Sequence, residues 1–282
     1  MALFDRITIV GLGLMGGSLG MAIRRRKLAG EVVGLSRHAS TIREAVRGGA
    51  IEWGTTDAKR AVHDADLVVL ATPVGAIVPT AKRLARLMPA GSILTDVGST
   101  KGQIVRELER ALPKSVAFVG AHPLAGSEQQ GIGAARADLY DDSLCVVTAT
   151  ARTSARALKL VKQLWRPLVQ RVLVMDPATH DRLLADVSHL PHALAFCLAQ
   201  AAKPQARAIA PRSFLDMTRI AQSDPALWAD IFLSNRQAIL ASMRHFDHHW
   251  TPMRRWLAQG NRQALQRFLT RAQAIRLATP HA

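Results

Sequence analysis

Cysteine is scarce in this chain of 282 residues. The two cysteines, Cys145 and Cys197, stand in apolar sequence without a Cys-x-x-Cys spacing, which favours buried reduced thiols over a disulfide or a metal site. Long apolar runs are also lacking, and none approaches the roughly 20 residues that a membrane-spanning helix requires. The N-terminal residues lead directly into a predicted strand, without the charged and apolar regions of a secretory signal. We therefore expect a cytoplasmic protein with no membrane partner.

Aromatic and acidic residues are few. Phe, Trp and Tyr make up 5% of the chain, and 21 acidic residues stand against 37 Lys and Arg, which gives a net charge of +16. Such an excess would suit a nucleic-acid-binding protein. The basic residues, however, are spread along the whole chain, have no aromatics interleaved and follow no nucleic-acid-binding motif. We expect no nucleic-acid partner, although a positive field would help to collect an anionic substrate and cofactor.

A glycine-rich turn follows a short β-branched strand near the N-terminus. The predicted strand at residues 7–10 leads into Gly-Leu-Gly-Leu-Met-Gly, with glycines at Gly11, Gly13 and Gly16, and a helix follows. In a G-x-G-x-x-G dinucleotide site the first glycine permits the tight turn, the second leaves room for the pyrophosphate and the third lets helix and strand pack closely. The phosphates then meet unpaired amides at the helix N-terminus. A glycine-rich structural turn is the alternative. The predicted cofactor contacts here and in a later Thr-Pro pair are Gly11, Leu12, Gly13, Leu14, Met15, Gly16, Thr72 and Pro73.

The end of the second predicted strand bears on which dinucleotide binds. Enzymes that use NAD place a carboxylate there for the ribose hydroxyl, whereas this chain has Ser36 and Arg37. A serine hydroxyl and a guanidinium can bind the 2′-phosphate of NADP. The pair therefore favours NADP over NAD. If Arg37 stacks on adenine or faces solvent instead, the choice stays open.

Strands and helices alternate through the first part of the chain, and then the strand pattern stops. The predicted strands are residues 7–10, 31–35, 67–71, 92–97, 117–120, 144–148 and 172–175, with helices such as 74–88 and 101–112 between them. This alternation predicts a mostly parallel, doubly wound sheet that binds ligands at the carboxyl ends of its strands. After Asp176-Pro177 the chain is rich in Ala, Leu, Gln and Arg, and its helices break near residues 203–212 and restart at Ser223-Asp224-Pro225. The sequence thus predicts an α/β protein with a Rossmann-type domain over residues 1–176 and an all-α domain over residues 177–282.

Polar segments interrupt the apolar pattern at four places. Asp96-Val97-Gly98-Ser99-Thr100-Lys101 and Gly120-Ala121-His122-Pro123-Leu124-Ala125-Gly126-Ser127-Glu128 stand at strand ends, and Ser188-His189-Leu190-Pro191-His192 and Asp216-Met217-Thr218-Arg219-Ile220-Ala221-Gln222-Ser223-Asp224-Pro225 lie in the helical half. Together with the glycine turn, and in this order, they resemble the prephenate and arogenate dehydrogenases of tyrosine biosynthesis. The resemblance covers residues 7–236.

The resemblance implies a fold and a reaction. The family combines an N-terminal Rossmann domain with a C-terminal helical dimerisation domain, so a homodimer is expected. Its reaction is the NAD(P)-dependent removal of hydride from C4 of a cyclohexadienol, with loss of the ring carboxylate as carbon dioxide. The expected substrate is the small molecule prephenate, to which the two histidines of residues 188–192 incline the choice, or arogenate as the alternative. No metal is needed.

The resemblance also implies residue roles. Hydride leaves a carbon that bears a hydroxyl, so a base must accept the hydroxyl proton, and His122 would be that base. Ser99 would be a second partner of the reacting hydroxyl or of the nicotinamide. Arg219 would hold a substrate carboxylate, because a guanidinium binds a carboxylate with paired, directional bonds. The remaining implied substrate contacts are His189, Ser127, Glu128 and Trp228.

Each of these residues could instead have a purely structural role. His122 could bond to backbone at a strand end, and Ser99 could cap the helix that follows it. Arg219 could join two helices through Asp216 or Asp224.

The other candidates are open in the same way. Trp228 could belong to the core, and His192 is left between site and core. His189 and His192 are one turn apart, but no carboxylate or thiol completes a metal site. Residues 247–250, Asp-His-His-Trp, match nothing in the family and predict a solvated turn.

Other functions remain as alternatives at this point. β-Hydroxyacid dehydrogenases share the G-L-G-x-M-G start, but they normally carry a catalytic lysine on the first long helix of the second domain, where residues 188–192 offer none. A non-catalytic NADP-sensing protein would bind the cofactor without turnover. No further β-α-β-β unit precedes Ala282, so we expect no appended regulatory domain and expect any tyrosine inhibition to act at the active site.

Overall fold

The computed structural model describes residues 2–127 and 129–279. In them six parallel strands form the main sheet, in the order β3-β2-β1-β4-β5-β6. The strands are β1 (Phe4–Val10), β2 (Ala29–Leu35), β3 (Trp53–Thr55), β4 (Leu67–Leu70), β5 (Ile93–Asp96) and β6 (Ala117–Val119). This is the strand order of the Rossmann fold, whose ligand crevice lies where the order reverses, outside the carboxyl ends of β1 and β4.

Helices cover both faces of this sheet. They are α1 (Leu14–Arg25), α2 (Ala39–Arg47), α3 (Ala58–Val62), α4 (Val74–Leu84) and α5 (Gly102–Ala111). Successive residues of a strand point to opposite faces, so β4 divides its apolar side chains between two cores. Leu67 and Val69 pack in one core, and Val68 and Leu70 in the other. All four are fully buried, which is why this strand reads as a continuous apolar run.

A second, three-stranded sheet stands beside the first. It contains β7 (Ala121–Pro123), β8 (Leu144–Thr148) and β9 (Arg171–Met175), with α6 (Ala155–Trp165) between β8 and β9. β7 is antiparallel to β8, and β8 is parallel to β9. The last two predicted strands therefore lie outside the main sheet. The chain passes from β6 to β7 at Gly120, where an added Cβ would lie 2.6 Å from Thr148 Oγ1.

The chain after β9 is helical. It contains α7 (Pro177–Leu184), a π-helical turn (Ala185–His189), α8 (Leu190–Ala201), α9 (Pro204–Arg207), α10 (Arg212–Thr218), a 3-10 turn (Arg219–Gln222), α11 (Pro225–Ser234), α12 (Arg236–Ala258) and α13 (Arg262–Ala278). Asp176 and Asp224 cap α7 and α11 through backbone N–H groups, and each is followed by a proline in the first turn. The predicted α/β fold with a helical C-terminal domain is confirmed, as is the helix start at Ser223-Asp224-Pro225.

Two local predictions are wrong. Residues 247–250 belong to the long helix α12 rather than to a turn, because none of them is glycine or proline and an exposed helix accommodates polar side chains. Cys197 is exposed, whereas Cys145 is buried as expected, because Cys197 lies on a face of α8 that this chain leaves uncovered.

In the described part of the chain no helix is both long and apolar enough to cross a membrane.

Candidate active site

The glycine turn has the geometry of a dinucleotide cradle. Gly11 has φ +95°, which L side chains rarely adopt, and an added Cβ there would lie 2.5 Å from the carbonyl oxygen of Ala71, after β4. At Gly16 an added Cβ would lie 1.9 Å from Gly11 O, so only glycine lets α1 approach the turn this closely. An added Cβ at Gly13 would meet nothing within 4 Å. Two glycines are thus needed for packing, and the third faces open space in front of α1.

Residues in and around the turn pack against it or face it. Leu12 is buried in the core, and Tyr140 Oη donates a hydrogen bond of 2.7 Å to Met15 O in the first turn of α1, which begins at Leu14. After β4, Thr72 Oγ1 is buried without a hydrogen-bond partner among the described residues, and Pro73 is the N-cap of α4. An open N-terminus of α1 and an unsatisfied hydroxyl fit a dinucleotide that brings its own hydrogen-bonding groups.

Ser36 and Arg37 stand where β2 reaches the same edge of the sheet. Gly11 N donates to Leu35 O over 3.0 Å, so the end of β2 lies directly beside the glycine turn. Ser36 Oγ accepts a hydrogen bond of 3.3 Å from His38 N, and Arg37 is exposed on the turn before α2. The guanidinium is therefore placed on the surface beside the crevice.

His122 lies on β7, opposite Val146 of β8, and belongs to a line of buried polar groups. Its Nδ1 is 2.9 Å from His180 Nε2, and His180 Nδ1 is 2.8 Å from Asp181 Oδ1. Burial, and then the charges of His180 and Lys101, lower the pKa of His122 well below its usual value. The imidazole of His122 is therefore neutral at pH 7. Among the described residues, the hydrogen-bond partner of the His122 ring is His180 rather than a backbone carbonyl, which was the structural alternative.

Asp181 joins this line to the loop that carries Ser99. Its Oδ1 accepts from Lys101 N over 2.8 Å, and its Oδ2 accepts from Gly102 N over 2.7 Å, so it caps α5 from another helix. Ser99, half-buried in the preceding loop, does not cap α5, and that alternative is wrong. Burial raises the pKa of Asp181, but the hydrogen bonds from His180 and from these N–H groups outweigh it and hold the pKa below its usual value.

A buried ion pair lies under the same loop. Lys101 Nζ is bonded to Asp96 Oδ2, and both side chains are fully buried. Asp96 also accepts from Gly98 N over 2.9 Å and from Ala121 N over 3.3 Å. One carboxylate thus ties the residue before Ser99 to the residue before His122. Removing one partner would leave a buried charge unpaired, at a cost of about 3–5 kcal/mol.

The two histidines of residues 188–192 have different surroundings. His189 ends the π-helical turn and is buried, its Nδ1 lies 3.0 Å from Asn235 Nδ2, and burial lowers its pKa to about 4. His192 is half-buried and stacks on Trp228, with ring centroids 3.5 Å apart and planes at 20°. Burial lowers the pKa of His192, and the charge of Arg219 adds to this effect. Trp228 contacts both histidines, because its ring also meets that of His189 edge-on with centroids 6.1 Å apart, and His189 in turn belongs to the buried network.

Trp228 packs in the core of the main sheet and is 8% exposed, so it also fits the core interpretation. Of the two predicted partners of Arg219, Asp216 lies 3.8 Å from Arg212 Nε, and Asp224 caps α11. Ser127 is exposed, and its Oγ accepts from Gln129 N over 3.0 Å. Glu128 lies outside the described residues.

Residue-by-residue interpretation of the sequence missed His180, Asp181 and Asn235. Asn235 Nδ2 donates to Asp181 O over 2.7 Å and so joins α12 to α7. The sequence signal for them is weak, because it consists only of an adjacent His-Asp pair in α7. Both side chains are buried in the structure, although helices usually bury apolar residues on the packed face.

Comparison with known proteins identifies the family of this chain. The family model "Prephenate dehydrogenase, nucleotide-binding domain" matches residues 19–174, and "Prephenate dehydrogenase, dimerization domain" matches residues 176–271. The chain belongs to the prephenate dehydrogenase family. Members of this family are NAD(P)-dependent oxidoreductases, and so is this protein. The membership sets aside the β-hydroxyacid dehydrogenase and cofactor-sensing alternatives.

Full-length relatives agree with the family models. A cyclohexadienyl dehydrogenase of Zymomonas mobilis is 33% identical over 99% of this chain and 97% of its own length. The crystal structure of prephenate dehydrogenase from Aquifex aeolicus in complex with hydroxyphenyl propionate and NAD+ has a TM-score of 0.90 at 34% identity, covering 97% of each chain. The crystal structure of Synechocystis arogenate dehydrogenase has a TM-score of 0.83 at 29% identity, covering 96% of this chain and 98% of the other.

Proposed function

We propose that this protein oxidises and decarboxylates prephenate to 4-hydroxyphenylpyruvate in tyrosine biosynthesis. The observation that carries the proposal is a neutral, buried His122 on β7, three residues after β6 ends, backed by His180 and an ionised Asp181. A nicotinamide bound at the glycine turn would supply the hydride acceptor. A neutral imidazole is the form of histidine that can accept a proton.

The roles of the protein's own residues follow from what the reaction needs. As hydride leaves C4 of the ring, His122 accepts the proton of the C4 hydroxyl, and Ser99 donates a second hydrogen bond to that oxygen. The bond to the ring carboxylate then breaks, carbon dioxide leaves, and the electron pair restores aromaticity while the oxygen takes a proton back. Arg219 binds a substrate carboxylate with charge-assisted hydrogen bonds.

Arogenate is the second candidate substrate, because one observation favours it. His192 Nδ1 lies 2.9 Å from Ser188 O, and a carbonyl can only accept, so Nδ1 carries the proton and Nε2 is an acceptor. Arogenate has an ammonium group where prephenate has a keto oxygen, and an acceptor suits the ammonium. We therefore propose His192, rather than the buried His189, as the histidine that meets the substrate side chain.

We also propose that NADP is preferred over NAD. Support comes from Ser36 and the exposed Arg37 at the end of β2, where no carboxylate stands to repel a 2′-phosphate.

Cys145 and Cys197 are free thiols, which suits a reducing compartment, and we place the enzyme in the cytoplasm.

A homodimer is the proposed assembly. Large apolar side chains are exposed along the helices of the C-terminal domain, a pattern that marks a surface for association. They include Leu194, Leu198, Leu227, Leu240 and Met243. The family model for this part of the chain carries the description "dimerization domain".

Steady-state kinetics tests the proposed function. Prephenate and arogenate are each assayed with NADP+ and with NAD+, following reduced cofactor by absorbance and carbon dioxide by release from a labelled ring carboxylate. We expect turnover of prephenate with NADP+, with one carbon dioxide per reduced cofactor. Faster turnover of arogenate would select the second candidate. Reduction of cofactor without carbon dioxide release, or no turnover of either compound, would contradict the proposal.

A further inference from the structure

The line of groups from His122 through His180 to Asp181 has only one consistent set of proton positions when both imidazoles are neutral. Asp181 is ionised and accepts only, so the proton of His180 lies on Nδ1, which faces Asp181 Oδ1. His180 Nε2 is then an acceptor. His122 Nδ1 lies 2.9 Å from it and must therefore carry the proton of that ring. His122 Nε2 is left unprotonated.

The Asp181 carboxylate is the negative charge at the end of the line, whereas the charge of Lys101 opposes a proton on His122. Lys101 and Asp96 form a fully buried ion pair, whereas among the described residues the Asp181 carboxylate bonds to two backbone N–H groups and to His180. When an imidazole of the line gains a proton, Asp181 supplies the compensating negative charge. Coulomb energies are larger in a buried site than in water, so this compensation matters.

Asp181 is held in place independently of the histidines. Its carboxylate caps α5 through Lys101 N and Gly102 N, and Asn235 Nδ2 donates to its backbone carbonyl. The capped helix follows the loop of Ser99, so one carboxylate orients the line behind His122 and also fixes the loop with Ser99. The second hydrogen-bonding group of the reaction is thereby tied to the first.

We propose that His180 and Asp181 are positioning residues that fix His122 in the tautomer with the proton on Nδ1, so that Nε2 receives the substrate hydroxyl proton. This inference rests on the proposed function for its chemistry, but the tautomer itself does not. Neither residue touches the substrate in this role.

Nitrogen-15 NMR tests the tautomer directly. The protein is labelled with ¹⁵N-histidine, and the ring nitrogens of His122 are assigned by the signals missing from His122→Asn. At pH 7, without substrate, we expect a protonated Nδ1 and an unprotonated Nε2. The reverse pattern, or a fast mixture of both tautomers, would overturn the proposal even if the enzyme is active. The expected pattern in a protein that turns over neither prephenate nor arogenate would keep the tautomer and reject the function.

Paired substitutions at His180 test the consequence for the rate. His180→Gln places an amide where Nε2 stood and can still accept from His122 Nδ1, whereas His180→Phe cannot. We expect kcat to fall by about 10²–10³-fold in His180→Phe, with KM and cofactor Kd within about threefold of wild type, and to recover at least tenfold in His180→Gln. Equal losses in both variants, or a loss confined to KM, would overturn the positioning role.

Asp181→Asn adds a second line of evidence. If the amide oxygen faces His180 Nδ1 and Lys101 N, the tautomer is kept. If the NH2 group faces His180 Nδ1, the proton of His180 moves to Nε2 and that of His122 to Nε2, the wrong tautomer; in a Ser-His-Asp triad a change of this kind lowers kcat by about 10⁴-fold. Because Asp181 also caps α5, this variant is judged by its NMR tautomer and by kcat only if its Tm shows that it folds. A folded Asp181→Asn that combines the wrong tautomer with wild-type kcat, or the wild-type tautomer with a kcat lowered by orders of magnitude, would contradict the proposal.

Discussion

Replacing Gly13 with alanine separates cofactor binding from folding. Gly13 has φ −88° and ψ −160°, an extended conformation that alanine also adopts, and an added Cβ would meet no heavy atom within 4 Å. Stability should stay equal or rise by about 0.4–1 kcal/mol, because alanine restricts the unfolded chain more than glycine does. For a chain of this size the change in Tm should not exceed about 4 °C.

Binding should respond quite differently. The new methyl group projects into the open space before α1, where we expect the pyrophosphate to lie, and it pushes the pyrophosphate away from the amides of the helix N-terminus. One lost charge-assisted hydrogen bond is worth about 1.5–3 kcal/mol, which raises Kd by roughly 10–150-fold. NADP and NAD should lose affinity alike, because both contain the pyrophosphate. Isothermal titration calorimetry measures both values.

Gly133 offers a matched control. It is exposed, and an added Cβ there would also meet nothing within 4 Å, but it lies in the 3-10 turn Ile132–Ala134 rather than in the glycine turn. Gly133→Ala should leave Tm and both Kd values close to wild type. Wild-type affinity of Gly13→Ala for both dinucleotides would refute the assignment of the turn to the pyrophosphate.

Three further predictions concern substrate, cofactor and assembly. Arg219→Ala should raise KM far more than it lowers kcat, by the roughly 1.5–3 kcal/mol of a charged hydrogen bond, whereas an unchanged KM with a lower Tm would indicate a structural role. Arg37→Ala should raise the Kd of NADP by about 10–150-fold and leave that of NAD nearly unchanged, and Ser36→Asp should invert the preference; tighter binding of NAD than of NADP by the wild type would contradict both. Light scattering at micromolar concentration should give about twice the chain mass of 30.6 kDa, and a monomer would refute the dimer.

Local sequence patterns were sufficient for five of the six strands of the main sheet, because these five are marked by local apolar runs. Apolar runs predicted the strands around residues 7–10, 31–35 and 67–71, and the strand-helix alternation predicted their parallel arrangement. β3 has three half-buried residues and gives no such run. The second sheet was missed for another reason. Whether β8 pairs with β5, β6 or β7 depends on contacts between segments distant in sequence, and alternation carries no information about them.

The candidate site, too, was predicted only where it depends on local sequence. The sequence puts the Ser99 loop and the His122 segment directly after two strands, and in the structure these are the neighbouring strands β5 and β6. His122 itself lies within β7. The pairing of His122 with His180 joins residues that are 58 positions apart, and the capping of α5 by Asp181 joins residues about 80 apart. Such contacts exist only once the helices have packed. The roles of individual site residues therefore stay predictions.

The most direct test of the account is the rate of His122→Asn as a function of pH. In the wild type the pKa of His122 lies well below its ordinary value, so the neutral, active form should persist at neutral pH and kcat/KM should fall only as the pH drops toward that lowered pKa. His122→Asn should lower kcat by about 10²–10⁴-fold, keep the wild-type Kd for the cofactor and lose this acidic limb. Turnover close to that of the wild type, with the acidic limb intact, would show that another group accepts the proton.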